Sequence, residues 1–116
     1  MWRHKKEWDL QQVLTRQLAM NRQTWATLQA HGVTEETELQ LDFMYKAADR
    51  DKADELAGFL RAETDYSVTA DDTSVSGNTQ AASVSAEILD QWVKWMVVAG
   101  HEHGRCEFDG WGTAVP

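Results

Sequence analysis

The sequence predicts an α+β domain: a leading helix, then an antiparallel sheet with two further helices on one of its faces. Three observations predict it. Apolar residues recur at three-, four- and seven-residue steps from about Lys6 to Ala30. They alternate through "ELQLDFMY", residues 38–45, and the period then switches between helix and strand until the end of the chain. The breaks between these segments are short and rich in Gly, Asp and Asn, as in one compact domain without linkers.

The first helix carries Val13, Leu14, Leu18, Trp25 and Leu28 on its apolar side and stops at Gly32. In the strand that follows, Leu39, Leu41, Phe43 and Tyr45 fall on one face and Glu38, Gln40, Asp42 and Met44 on the other. A second helix begins after an N-cap at Asp49 or Asp51 and shows the stripe Ala53, Leu56, Ala57 and Leu60. A hairpin is expected next, with Tyr66, Val68 and Ala70 going out, Gly77-Asn78 turning, and Ala82, Val84 and Ala86 returning. Val75 is out of phase, which places a bulge or break near Asp71 and Asp72. A third helix runs from Glu87 to about His103 with Ile88, Trp92, Trp95 or Met96, and Ala99 inward. Gly104 ends it, and a last strand holds Cys106 and Phe108 on one face. The order β-α-β-β-α-β after the leading helix is the ferredoxin-like plan. It divides the single domain 1–116 into a helix, 1–32, and a core, 35–116.

Net charge is −8, and it is uneven: residues 1–31 sum to +3 and the remainder to −11. An acidic body repels nucleic-acid phosphate, so a protein partner with basic groups is expected in place of direct nucleic-acid binding. The lone Cys106 excludes an internal disulfide and fits a reducing compartment, the cytoplasm. No apolar run is long enough for a membrane span or an export signal.

Little in the sequence points to catalysis. His101, Glu102, His103 and Cys106 are metal-ligating types, but the two histidines stand roughly 200° apart on a helix, and histidine at a helix C-terminus also complements the macrodipole. Cys106 at an alternating strand position reads as a small buried hydrophobe. No Gly-rich phosphate loop occurs. The expectation is no catalytic residue, no metal and no cofactor. Six tryptophans are present. Trp92 and Trp95 read as core, Trp25 as core within one chain or at a dimer seam, and Trp2 and Trp8 as partner anchors or as residues packed back on the domain.

The end of the chain, "CEFDGWGTAVP", sets Trp111 between two glycines after an Asp-Gly pair. A tight turn is expected beyond a strand ending near Phe108, with Asp109 bonding forward and Gly110 or Gly112 at positive φ. Trp111 is then either a lid on the core or a contact residue. "EFDGWGTAV", residues 107–115, resembles the terminal signature of the regulator of ribonuclease E activity B (RraB) family; "ADELAGFLRAE" and "DYSVT" resemble that family in order and length. The resemblance carries over Phe108, Asp109, Gly110, Trp111 and Gly112. It implies a ferredoxin-like, non-enzymatic cytoplasmic protein that binds ribonuclease E and inhibits RNA cleavage. Two departures stand against it: family members carry an acidic tail after the motif and an acidic first helix, whereas here the sequence ends at Pro116 and the first helix is basic. On this reading the partner surface is Asp109, Gly110, Trp111 and Gly112 with the polar strand face Glu38, Gln40 and Asp42. The alternatives are a ligand-binding or enzymatic dimer on the same fold, and a subunit whose first helix buries Trp25 and Leu28 against a second chain.

Overall fold

A computed structural model describes residues 8–114. Helix α1 spans Leu10–Ala30, β1 Glu38–Leu39, β2 Asp42–Lys46, α2 Arg50–Glu63, β3 Ser67–Ala70, β4 Ser74–Asn78, β5 Ala82–Ser83, α3 Ala86–Glu102 and β6 Glu107–Gly112. The fold is α+β. Four strands form an antiparallel sheet in the order β3-β4-β2-β6, and β1 pairs with β5 in a separate antiparallel ladder.

Side-chain caps set the helix starts. The carboxylate of Asp9 accepts from the Gln12 amide at 3.0 Å, that of Asp49 from Lys52 at 2.9 Å, and the Ser85 hydroxyl from Ile88 at 3.2 Å. Asp9 therefore starts α1 later than the expected Lys6, which lies outside the described residues. Of the two acids offered as cap for α2, Asp49 is the one used.

The alternation through 38–45 holds: Leu39, Leu41, Phe43 and Tyr45 are buried, and Glu38, Gln40, Asp42 and Met44 are exposed. Ladder pairing, however, breaks at Gln40 and Leu41, where the Leu41 amide donates to the Thr79 hydroxyl at 3.1 Å. The expected single strand is thus two, on two ladders.

The hairpin is moved relative to expectation. Its turn is at 71–73, where Asp71 Oδ1 accepts from the Thr73 and Ser74 amides at 2.9 Å each, so the break near Asp71 is the turn itself. Gly77 and Asn78 lie within β4. Glycine is required at 77 because the strands approach closely there: a Cβ would run into the Ser67 carbonyl and come 2.9 Å from the Phe43 ring. The segment expected to return supplies only β5; Val84 is buried and Ala86 already begins α3.

One face of the sheet builds the core. Phe43, Tyr45, Val75 and Phe108 meet Ala53, Leu56, Ala57 and Leu60 of α2, Val93, Met96 and Val97 of α3, and Val13 of α1. The Tyr45 hydroxyl donates to the Met96 carbonyl at 2.7 Å, which satisfies the buried phenol. A second cluster joins Trp25 and Leu28 of α1 to Val33, Leu39, Leu41, Val84 and Leu89. The leading helix is therefore part of both clusters, and Trp25 and Leu28 are buried within the chain itself.

Two helix faces differ from the expected ones. On α3 the buried residues are Leu89, Val93, Met96, Val97, Ala99 and Gly100, so Met96 and Ala99 face inward as expected, while Ile88 and Trp95 are 51% and 40% exposed. On α1 the buried stripe includes Gln17 and Asn21, with Leu14 and Leu18 half-buried. The rotation of α1 follows from hydrogen bonding, since both amides find partners on the elements it packs against.

The other face of the sheet carries Asp42, Met44, Lys46, Ser67 and Thr69, all exposed, and the half-buried Ser74, Ser76 and Asn78. Among the described residues nothing covers it, and no helix is long and apolar enough to cross a membrane.

Candidate functional site

The residues 107–112 do not form a terminal turn. They continue the sheet as its edge strand β6, pairing antiparallel with β2. The register shifts between Met44 and Tyr45, so that Phe108 faces Tyr45, Gly110 faces Met44 and Trp111 faces Phe43. This bulge is where Gly110 takes a φ of +117°, a conformation that a side chain would strain. Gly112 has no positive φ, so of the two glycines offered as alternatives Gly110 is the one in the left-handed region.

Trp111 points to the helix-covered side. Its indole Nε1 donates to Asn21 Oδ1 at 2.8 Å, and its ring meets Trp92 edge-on at 6.1 Å between centroids. Asn21 Nδ2 in turn donates to an Asp90 carboxylate oxygen at 2.8 Å, and Gln17 Nε2 donates to the Phe108 carbonyl at 3.2 Å. The network ties α1, α3 and the free edge of β6 together. Every buried side-chain N or O among the described residues has a partner. Trp111 is thus a clamp whose ring is half-buried, and the polar face lies on the opposite side of the strand.

On that face the expected partner residues are only partly gathered. Asp42 of β2 and Asp109 of β6 are exposed, with Lys46 Nζ 3.5 Å from Asp109 Oδ1. Gln40 is exposed beside them, its amide 3.4 Å from Asn78 Oδ1, while Glu38 stands further along on the β1-β5 ladder. The face is therefore mixed in charge and rich in hydroxyls, not uniformly acidic. Opposite Asp42 and Met44 the β6 residues are Gly112 and Gly110, so neither side chain has a cross-strand neighbour on that side. A Cβ at Gly112 would meet no atom within 4 Å among the described residues.

The histidines and the cysteine do not converge. His101 lies edge-on to Trp8 at 5.1 Å and against Arg105, whereas His103 stacks on Phe59 at 3.7 Å. Cys106 is buried in the core. Among the described residues no group of three or more His, Cys, Asp or Glu could hold a metal ion. Trp8 packs back on the domain, donating its indole N–H to the Arg105 carbonyl at 2.8 Å; Trp2 lies outside the described residues.

Desolvation, with a smaller push from Glu55, raises the Cys106 thiol from its ordinary 9.0 to about 11. The folded chain then keeps a proton that the unfolded chain has lost. Stability from this group is full below pH 9.0 and falls as pH rises toward about 11. Tyr45, raised by burial, adds a loss of the same sign above its ordinary value of 10.0. Urea unfolding across this range is expected to show stability declining with pH, and Cys106→Ala should make the decline shallower.

Sequence reasoning missed one surface. Ile88, Trp92 and Trp95 on α3, with Tyr66, border a groove between α3 and the end of α2. The signal is an apolar surplus: α3 holds more large apolar residues than one inward stripe can use, and periodicity does not distinguish the surplus from core.

The chain matches no protein-family model and no curated protein. Its function rests on the chemistry of its own surfaces.

Proposed function

We propose that the chain is a non-catalytic, protein-binding regulatory domain of the RraB type, acting in the cytoplasm by binding ribonuclease E or a related protein and restraining RNA cleavage. The observation that carries this reading is Gly112. Neither backbone conformation nor internal packing requires glycine there, yet with Gly110 it leaves Asp42 and Met44 open on the uncovered face. A flat, bare strip beside exposed carboxylates suits an extended basic segment, steered by the acidic body. The strand order β3-β4-β2-β6, with helices between its first and second and its third and fourth strands in chain order, supports a ferredoxin-like plan with α1 added.

The test is ribonuclease E cleavage of an RNA substrate with increasing amounts of the protein. Cleavage is expected to slow. Gly112→Lys and Asp42→Lys, both at exposed or open positions, should each raise the concentration needed by about tenfold, a loss of about 1.4 kcal/mol, with melting temperature unchanged. Cleavage that is indifferent to the unsubstituted protein would remove ribonuclease E as the partner.

A further inference from the structure

A second concave surface lies on the helix-covered side of the sheet. Leu39, Leu41, Val84 and Leu89 floor an apolar pocket of about 240 Å³, walled by Tyr66 and Trp92. It opens onto a broad shelf of about 850 Å³ bordered by Ile88, Trp95, Glu63 and Asp65. The two share Asp65, Tyr66, Ile88 and Trp92, so they lie side by side.

Size and charge choose the occupant. The pocket is smaller than the roughly 300–1,000 Å³ of a drug-sized ligand site. It is nonetheless larger than the roughly 150 Å³ apolar cavity that holds a benzene ring. It therefore suits one large side chain, with the shelf receiving the residues around it. Among the described residues, those lining the pocket and the shelf include Glu63 and Asp65 and no Lys or Arg, so basic flanking residues are favoured and acidic ones repelled. Ile88 and Trp95 are the exposed apolar side chains beside the opening, half-open to water when no partner is bound. Trp92 is held in place by donating its indole N–H to the Tyr66 hydroxyl at 3.0 Å, which gives the pocket a fixed aromatic wall.

We infer that this groove captures a basic peptide segment of a protein partner, burying one aromatic or large aliphatic anchor against Tyr66 and Trp92. The inference rests on the reading of the domain as a protein binder and specifies the chemistry of what it binds. It places that contact on a face separate from the Asp42 and Gly112 strip.

The test is a nuclear magnetic resonance titration of the full chain with three synthetic probes: acetyl-Lys-Lys-Phe-Lys-Lys-amide, the same peptide with Ala for Phe, and the same peptide with Glu for every Lys. The Phe-Lys probe is expected to shift the Trp92 and Trp95 indole N–H resonances saturably. Its affinity should exceed that of the other two by about tenfold or more. Ile88→Lys, on an exposed helix position, should abolish the shifts; should that variant fail to fold, Asp65→Lys reads the same charge preference. Equal binding of the Phe and Ala probes would overturn the anchor, and equal binding of the Glu probe would overturn the charge argument. A dimeric chain that Ile88→Lys converts to monomer would make the occupant a second copy and also overturn the proposal. The two readings fail separately. Probe shifts with unaltered ribonuclease E cleavage retain the groove and remove that partner, while inhibited cleavage without probe shifts retains the partner and removes the groove.

Discussion

Trp111→Ala is expected to lower the free energy of unfolding by about 3 kcal/mol, the low end for truncating a tryptophan in a core. The loss has three sources. The half-buried ring no longer covers the seam between β6 and the helices, and its edge contact with Trp92 goes with it. Asn21 Oδ1, on a buried side chain, loses the donor that satisfied it, which alone costs about 1–3 kcal/mol. Trp111→Phe keeps most of the ring and loses only the donor, so a smaller loss of about 1–2 kcal/mol is expected. Urea unfolding of both variants measures these differences. On the proposed function, Trp111→Phe should slow ribonuclease E cleavage as the unsubstituted chain does, under conditions where it remains folded, because the ring faces the helices and not the bare strip. A Trp111→Ala variant with unchanged stability and no inhibition would make the indole a contact residue instead of a clamp.

Gly100→Ala is expected to destabilise by about 1–2 kcal/mol net. An added Cβ on α3 would run into the Cys106 carbonyl and stand 2.6 Å from the Tyr45 ring, where backbone and core both resist displacement. Overpacking of this kind costs typically about 1–3 kcal/mol and sometimes more, against up to about 1 kcal/mol of helix propensity regained. Gly58→Ala on α2 is the control. That glycine is exposed and its Cβ would meet nothing within 4 Å among the described residues, so alanine should stabilise by about 0.5–1 kcal/mol. Thermal melts of the two variants should move in opposite directions. A neutral Gly100→Ala would mean that α3 is free to lift from β2 and β6.

The candidate surfaces were legible to different degrees. The exposed set Gln40 and Asp42 follows from alternation, because successive strand residues must face opposite sides. The Asp-Gly-Trp-Gly segment was visible as unusual, but its conformation was not. A turn and an edge strand with a bulge use the same residue types, and the pairing with β2 that decides between them joins positions more than sixty residues apart. The groove beside Ile88 and Trp95 escaped for a related reason. Ile88 and Leu89 are adjacent apolar residues and every position from Trp92 to Ala99 except Lys94 is apolar, so periodicity alone does not say which residues turn inward.

Local chemistry settled the identity and order of the long elements. The cap at Asp49, the stripe Ala53, Leu56, Ala57 and Leu60, and the alternation from Leu39 to Tyr45 each act within a few residues and are readable without a partner. Tertiary structure decided what those rules leave degenerate. It buried Gln17 and Asn21 on α1 because Phe108, Asp90 and Trp111 supply their hydrogen bonds. It split one alternating run between two ladders and turned Trp111 toward the helices. Burial of a polar group depends on partners far away in the chain, and only folding brings those partners within bonding distance.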